Sequence, residues 1–343
     1  MTKLMIKRDK SIDAIKGVGI LCITLLHFEA GIFPDWLNIW IGLFMVNTFY
    51  FTAGWLMSMK PTVPFPKELM KRRICQLGIP YVWFSIIILC FNLVWWLLEQ
   101  IPFSIILRDA YKAIVFCGIG TLWFLPALLG SEWLFCFIQH TRRIFLSALL
   151  LFIVSAVCCW LYQKHWLPVR EQNDIYRMID APMRPFIRSL QGWLIVYLGF
   201  LAGKYLSKAL HGLNSLSLVG IGMLCILVSL VLLLPGFPNL SYLGKWLSNT
   251  LPELGLLCIF MAFPRGFHVD FFAYWGKNSL ILMCTHYSIT EEILKTIDKC
   301  FFPNQDFCGW RTLTYFVIAI GVTYPIVRLI NNKFYFILGK KKM

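Results

Sequence analysis

The chain has 343 residues, 59% of them hydrophobic and only 14% charged, and its mean hydropathy is +0.69. Soluble domains carry about 25% charged residues, so the composition argues against a soluble domain and for an all-α, polytopic membrane protein. A net charge of +15 fits the cytoplasmic loops of such a protein, and no nucleic-acid-binding motif accompanies it.

The first ten residues, MTKLMIKRDK, are basic and lead into an apolar run. With no small-residue cleavage site after them, they read as a signal anchor. A helix needs about 20 apolar residues to cross a bilayer. Ten candidate spans meet this, at approximately 12–30, 37–59, 79–99, 113–139, 144–162, 189–207, 213–235, 241–264, 271–293 and 311–333. No internal repeat or second domain is evident, so residues 1–343 are expected to form a single domain with no appended soluble domain.

The first span contains KGVGILCITLLH. Lys16 and His27 are 11 residues apart, close to three helical turns, which puts them on one face and roughly 16 Å apart along the axis. Asp13 lies near that face. Ionisable groups within a membrane are costly and are candidates for function. The plainer alternatives are an interfacial lysine with its head in the headgroups and a hydrogen-bonded interface histidine.

KELMKRRICQLGIPYVWF leads into the third span. Its Lys71, Arg72 and Arg73 either mark the cytoplasmic side or bind phosphate, which arginine holds bidentately. Gly118, Gly120 and Pro126 interrupt the fourth span, as in a re-entrant or kinked segment. Residues 163–188 read as a long outer loop of charges and aromatics, either a solvated connector or a lid or glycan-binding face. In the ninth span, GKNSLILMCTHYSI, Ser279 and His286 are two turns apart on one face.

Both termini are expected in the cytoplasm. That orientation places 19 of the 32 Lys and Arg residues inside and ten outside, five of the ten in the 163–188 loop, in keeping with the positive-inside rule. It also puts His27 and His286 in the outer half, at similar depth on different helices. The 12 cysteines are scattered without CxxC pairs. They read as packing residues, except Cys300 and Cys308, which share an outer loop and could form a disulfide in an oxidising compartment. No metal site is expected.

This geometry suits a donor with phosphates at the cytoplasmic face and a long arm threading towards a histidine near the far side, the shape of a coenzyme A thioester. A neutral histidine there could act as general base on an acceptor hydroxyl.

Several segments together resemble the integral-membrane acyltransferase family 3, close to sugar O-acetyltransferases such as the fucose 4-O-acetylase-like group. RDKSIDAIKGVGILCITLLH matches the motif of Arg or Lys, ten residues, then His, through Lys16 and His27. FYFTAGWLMS is similar to the family's aromatic-rich segment, with Ala53 where serine is usual. KRRICQLGIPY, TLWFLPALL with Trp123, and WGKNSLILMCTH follow in the family's order.

The resemblance implies about ten membrane helices and transfer of an acyl group, acetyl above all, from cytoplasmic acyl-CoA. The acceptor would be a hydroxyl of a surface glycan or glycolipid, and the location the bacterial cytoplasmic membrane. His27 would be catalytic. Arg72 and Arg73 would bind the donor, Trp123 would shape the pocket, and Asn278, Ser279 and His286 would support it. The resemblance does not settle Lys16, which is expected either to contact the donor's phosphates or to pair with Asp13. Acetyl-CoA would be a substrate, with no tightly bound cofactor. Two alternatives compete. One is a transporter or flippase for a polar or lipid-linked substrate, with Glu132 and Glu253 as a proton relay. The other is a non-catalytic sensor or assembly subunit.

Overall fold

The computed structural model describes residues 9–28, 31–233, 242–303 and 309–340, with side chains in the third stretch from residue 249 onward. The described residues are helical, with no strand among them. Apolar helices satisfy every backbone N–H and C=O internally, which lipid demands.

Seven helical stretches are long and apolar enough to span a membrane. They are α1 (Lys10–Phe28), the broken pair α2 (Asp35–Phe44) and α3 (Asn47–Ser58), and α4 (Pro66–Arg73) running through a π turn into α5 (Ile79–Leu97). After the shorter α6 (Phe103–Ile114) comes the fourth, a 3-10 turn at Gly120–Trp123 leading into α7 (Phe124–Gln139). The fifth joins α8 (Ile144–Leu161) through a π turn to α9 (Leu167–Arg170), and the sixth is the 32-residue α10 (Asp174–Tyr205).

Beyond α10 lie the short α11 (Ser207–His211) and then α12 (Ser215–Val231) and α13 (Tyr242–Ala262). α12, with 17 residues, is apolar but shorter than the seven; it and the 21-residue α13 fall within the expected seventh and eighth spans. The expected ninth span is not one helix. α14 (Phe267–Lys277) ends at Asn278, α15 (Ser279–Thr285) follows, a π segment covers His286–Glu291, and α16 (Glu292–Phe301) leaves it. The seventh span is α17 (Trp310–Asn332).

Residues 163–188 are not the irregular loop that their charges suggested. They are almost wholly helical, because the polar groups find partners. Asn173 caps α10 by accepting a hydrogen bond from Ile175 N at 2.9 Å. Asp180, fully buried, accepts from Tyr162 at 2.7 Å and Trp166 at 3.0 Å, and it pairs with Arg170 and Arg184. Cys308 lies outside the described residues, so its pairing with Cys300 on α16 is not described.

α1 sits deep in the bundle against α14. Contact is close because both helices present glycine: a Cβ on Gly276 would fall 1.7 Å from the Asp13 carbonyl oxygen, and one on Gly17 1.8 Å from that of Phe272. Small residues let membrane helices approach backbone to backbone. This contact fixes the height of α1, and hence of its histidine.

Candidate functional site

His27 ends α1 next to Phe28, whose ring is fully buried with Leu294 and Ala319. The π segment begins at His286. Such wide turns recur at functional sites, and this one presents three consecutive side chains. His286 meets His27, while Tyr287 and Ser288 line the cavity that His27 faces. The His27 and Tyr287 rings are 4.8 Å apart, centroid to centroid.

The two histidines form an ordered chain of hydrogen bonds. His286, fully buried, donates from Nδ1 to the Leu282 carbonyl at 2.8 Å. Its Nε2 therefore carries a lone pair in the neutral ring. His27 Nδ1 lies 2.9 Å from that Nε2, so the proton of this bond belongs to His27. The remaining nitrogen of His27, Nε2, is left with a lone pair. A fixed second imidazole thus selects the tautomer of the first, and the first can accept a proton.

The cavity has a volume of about 640 Å³. Apolar residues Phe49, Ile88, Phe91 and Ile105 form part of its wall, and Arg108, Lys112, Arg184 and Arg188 bring positive charge. The loop before α7 closes one side. Gly118 and Gly120 take φ of +80° and +52°, a region glycine occupies without penalty. A Cβ at Gly118 would lie 2.2 Å from Trp123 N, and one at Gly120 2.3 Å from Ser288 Oγ. The interruption expected in the fourth span is therefore a wall of the cavity. Trp123 lines both this cavity and a second one of about 450 Å³.

Of the residues singled out from sequence, His27, His286 and Trp123 come together here. The others do not. Lys16 lines neither cavity, and its Nζ lies 3.9 Å from Asp13 Oδ1. Arg72 is exposed. Arg73 donates two hydrogen bonds to the fully buried Glu132 and one to Gln76 at 2.9 Å. Asn278 is a joint rather than a wall residue. It donates to the Tyr274 carbonyl at 2.9 Å and accepts from Asn331 at 2.8 Å, tying the break between α14 and α15 to α17. Ser279 lines neither cavity.

Arg184, Arg188, Tyr287 and Ser288 were not anticipated. Both arginines lie within residues 163–188, read as a loop, and a π segment has no sequence signature. The one available signal was Asn173-Asp174, a cap that starts a helix pointing both arginines inward. No group of three or more His, Cys, Asp or Glu residues that could hold a metal occurs among the described residues.

The architecture defines a multi-pass helical membrane protein with a histidine pair opening on an internal cavity. The sequence pattern of acyltransferase family 3, described as an acyltransferase domain, matches residues 9–331, and the chain belongs to that family of membrane acyltransferases. No curated protein and no solved structure matches the chain.

Proposed function

We propose that the protein transfers an acyl group, acetyl in the first instance, from acyl-CoA to a hydroxyl of a bacterial surface glycan or glycolipid. The observation that supports this reading is His27 in the wall of the cavity, with its Nδ1 on His286 and its Nε2 left to carry the lone pair. In the step itself, His27 Nε2 takes the proton of the acceptor hydroxyl as the oxygen attacks the thioester carbonyl. The C–S bond then breaks, and the CoA thiolate leaves with the proton from the imidazolium. An acetyl-histidine intermediate is the other route. Acetylated protein trapped in the absence of acceptor would establish it.

The remainder of the proposal follows the positive-inside rule. Ten crossings with both termini in the cytoplasm of a bacterial inner-membrane protein put His27 towards the outer face. Lys16, Arg72 and Arg73 then lie towards the donor's side. Arg72, exposed, is the most accessible of the three to donor phosphates.

The test uses purified protein in proteoliposomes with acetyl-labelled acetyl-CoA, together with mass spectrometry of surface polysaccharide from cells with and without the gene. Label in an ester on the glycan, and loss of that ester without the gene, are expected. Substrate flux without acetyl-CoA would support the transport alternative instead. That alternative loses Glu132, which Arg73 holds. It retains Glu253, fully buried with neither carboxylate oxygen hydrogen-bonded among the described residues, a feature that acyl transfer does not explain.

Asn278→Ala separates a joint from a substrate contact. Loss of its hydrogen bonds to Tyr274 and Asn331 is expected to cost about 1–2 kcal/mol of stability, seen as a lower melting temperature in detergent. KM for acetyl-CoA should stay within about twofold of the parent, since uniform substrate binding is not what is removed.

A further inference from the structure

The second cavity has two polar groups that find no hydrogen-bond or ion-pair partner among the described residues. Arg188 reaches into it from α10, with its guanidinium carbon 3.9 Å from the centre of the Trp123 ring. Its neighbour on the same helix, Arg184, is paired with Asp180, but Arg188 makes no ion pair or hydrogen bond among the described residues. Stacking on an aromatic face holds a guanidinium in place and leaves its edge N–H donors open. A guanidinium within a cleft is costly unless something accepts those donors. In the lining of the same cavity, the buried Oδ1 of Asn249 on α13 also has no hydrogen-bond partner among the described residues. Buried polar atoms in native proteins are nearly always satisfied, so an exception calls for an explanation.

The remaining polar lining is mostly amide: Asn47, Gln163 and Gln191 join Asn249, with the Tyr50 phenol and the Trp123 indole beside them. Amides both donate and accept, as hydroxyl-rich ligands require, and an aromatic face suits the apolar face of a sugar ring. Arg188 and Trp123 also line the cavity that His27 faces. The two cavities therefore share the wall that Arg188 and Trp123 form.

We infer that the second cavity is the acceptor subsite and that it takes an anionic saccharide, with its phosphate or carboxylate on Arg188 and its hydroxyls on the amides. The inference rests on the acyl-transfer reading for the word acceptor. The anion-selective saccharide site stands on Arg188 and Asn249 themselves.

The experiment measures binding and transfer separately, in purified protein. The probes are methyl glucoside, methyl glucuronide, glucose 1-phosphate and acetyl-CoA. An anionic probe is expected to bind about ten- to a hundredfold more tightly than methyl glucoside, the range for hydrogen bonds to a charged group. Arg188→Gln should erase that preference and leave acetyl-CoA affinity unchanged. Arg188→Lys, which keeps charge but loses the fork, should retain part of it. Asn249→Ala should weaken neutral and anionic probes by the same factor, about three- to tenfold. Melting temperatures establish that each variant is folded.

Equal affinity for neutral and anionic probes, or no binding of any saccharide, overturns the inference. So does Arg188→Gln weakening acetyl-CoA instead, which would make Arg188 a donor-phosphate ligand. If the binding pattern holds but no acetyl reaches any acceptor, the acyl-transfer reading falls and the anionic subsite stands.

Discussion

Replacing His27 with alanine is expected to lower the rate of acetyl transfer by about a thousandfold, within the range for loss of a positioned general base. Affinity for acetyl-CoA should be retained, because His27 is one of many residues that line the cavity. His286→Leu tests how the Nε2 of His27 is kept available. Without the His286 acceptor at 2.9 Å, the His27 ring loses the side chain that orients it and keeps only the Ile23 backbone as a partner. A fall in kcat of about a hundredfold at unchanged KM is expected. His286→Gln, whose amide oxygen can still accept, should fall less. The parent rate should rise with pH as His27 loses its proton, and this limb should be absent in His27→Ala. Single-turnover transfer of labelled acetyl measures all of these. Normal transfer by His27→Ala would remove the assignment of the base.

The histidine pair was legible in the sequence for a physical reason. Polar residues are scarce in apolar spans, and a spacing in whole turns shows that they share a face. Lys16 and His27 satisfy that rule, yet of the two only His27 lines either of the two cavities described. Lys16 points at Asp13, three residues earlier on its own helix. Helical periodicity fixes a face but not what stands opposite it. The arginines of α10 show the converse. Counting cations assigned Arg184 and Arg188 to a loop, since charges, Pro182 and Pro185 argue against a span. The tertiary structure offsets that cost through Asp180, which is shared by Arg170, Arg184, Tyr162 and Trp166. Such a hub is assembled from three segments, and local patterning does not show it. The seven-residue interval from Ser279 to His286 was likewise read as two turns of one span. Helix breaks at Asn278 and a π segment from His286 give the two residues different roles.

Glu132→Ala is expected to be the most destabilising of the substitutions considered, by about 3 kcal/mol, the lower end for breaking a buried pair. The lower end applies because the Arg73 side chain is 22% exposed while that of Glu132 is 0%, so water screens one partner in part. The pair joins α4 to α7, and removing the carboxylate leaves a cluster of like charge. Lys60, between two spans, already has its ammonium pushed down, first by burial and then by Arg72 and Arg73, with Glu132 acting the other way. Without Glu132 these three cations face one another unbalanced. Arg73→Leu with Glu132→Leu should recover most of the loss, because an apolar pair of similar volume avoids desolvation. Melting temperature in detergent, with and without saturating acetyl-CoA, measures both effects. The nucleotide also tests the proposed donor side. If Arg72 and Arg73 hold its phosphates, an Arg73 freed from Glu132 should bind them better, and acetyl-CoA should raise the melting temperature of Glu132→Ala more than that of the parent. An equal rise in both would place the donor's phosphates elsewhere and leave Arg73 as a structural partner of α7.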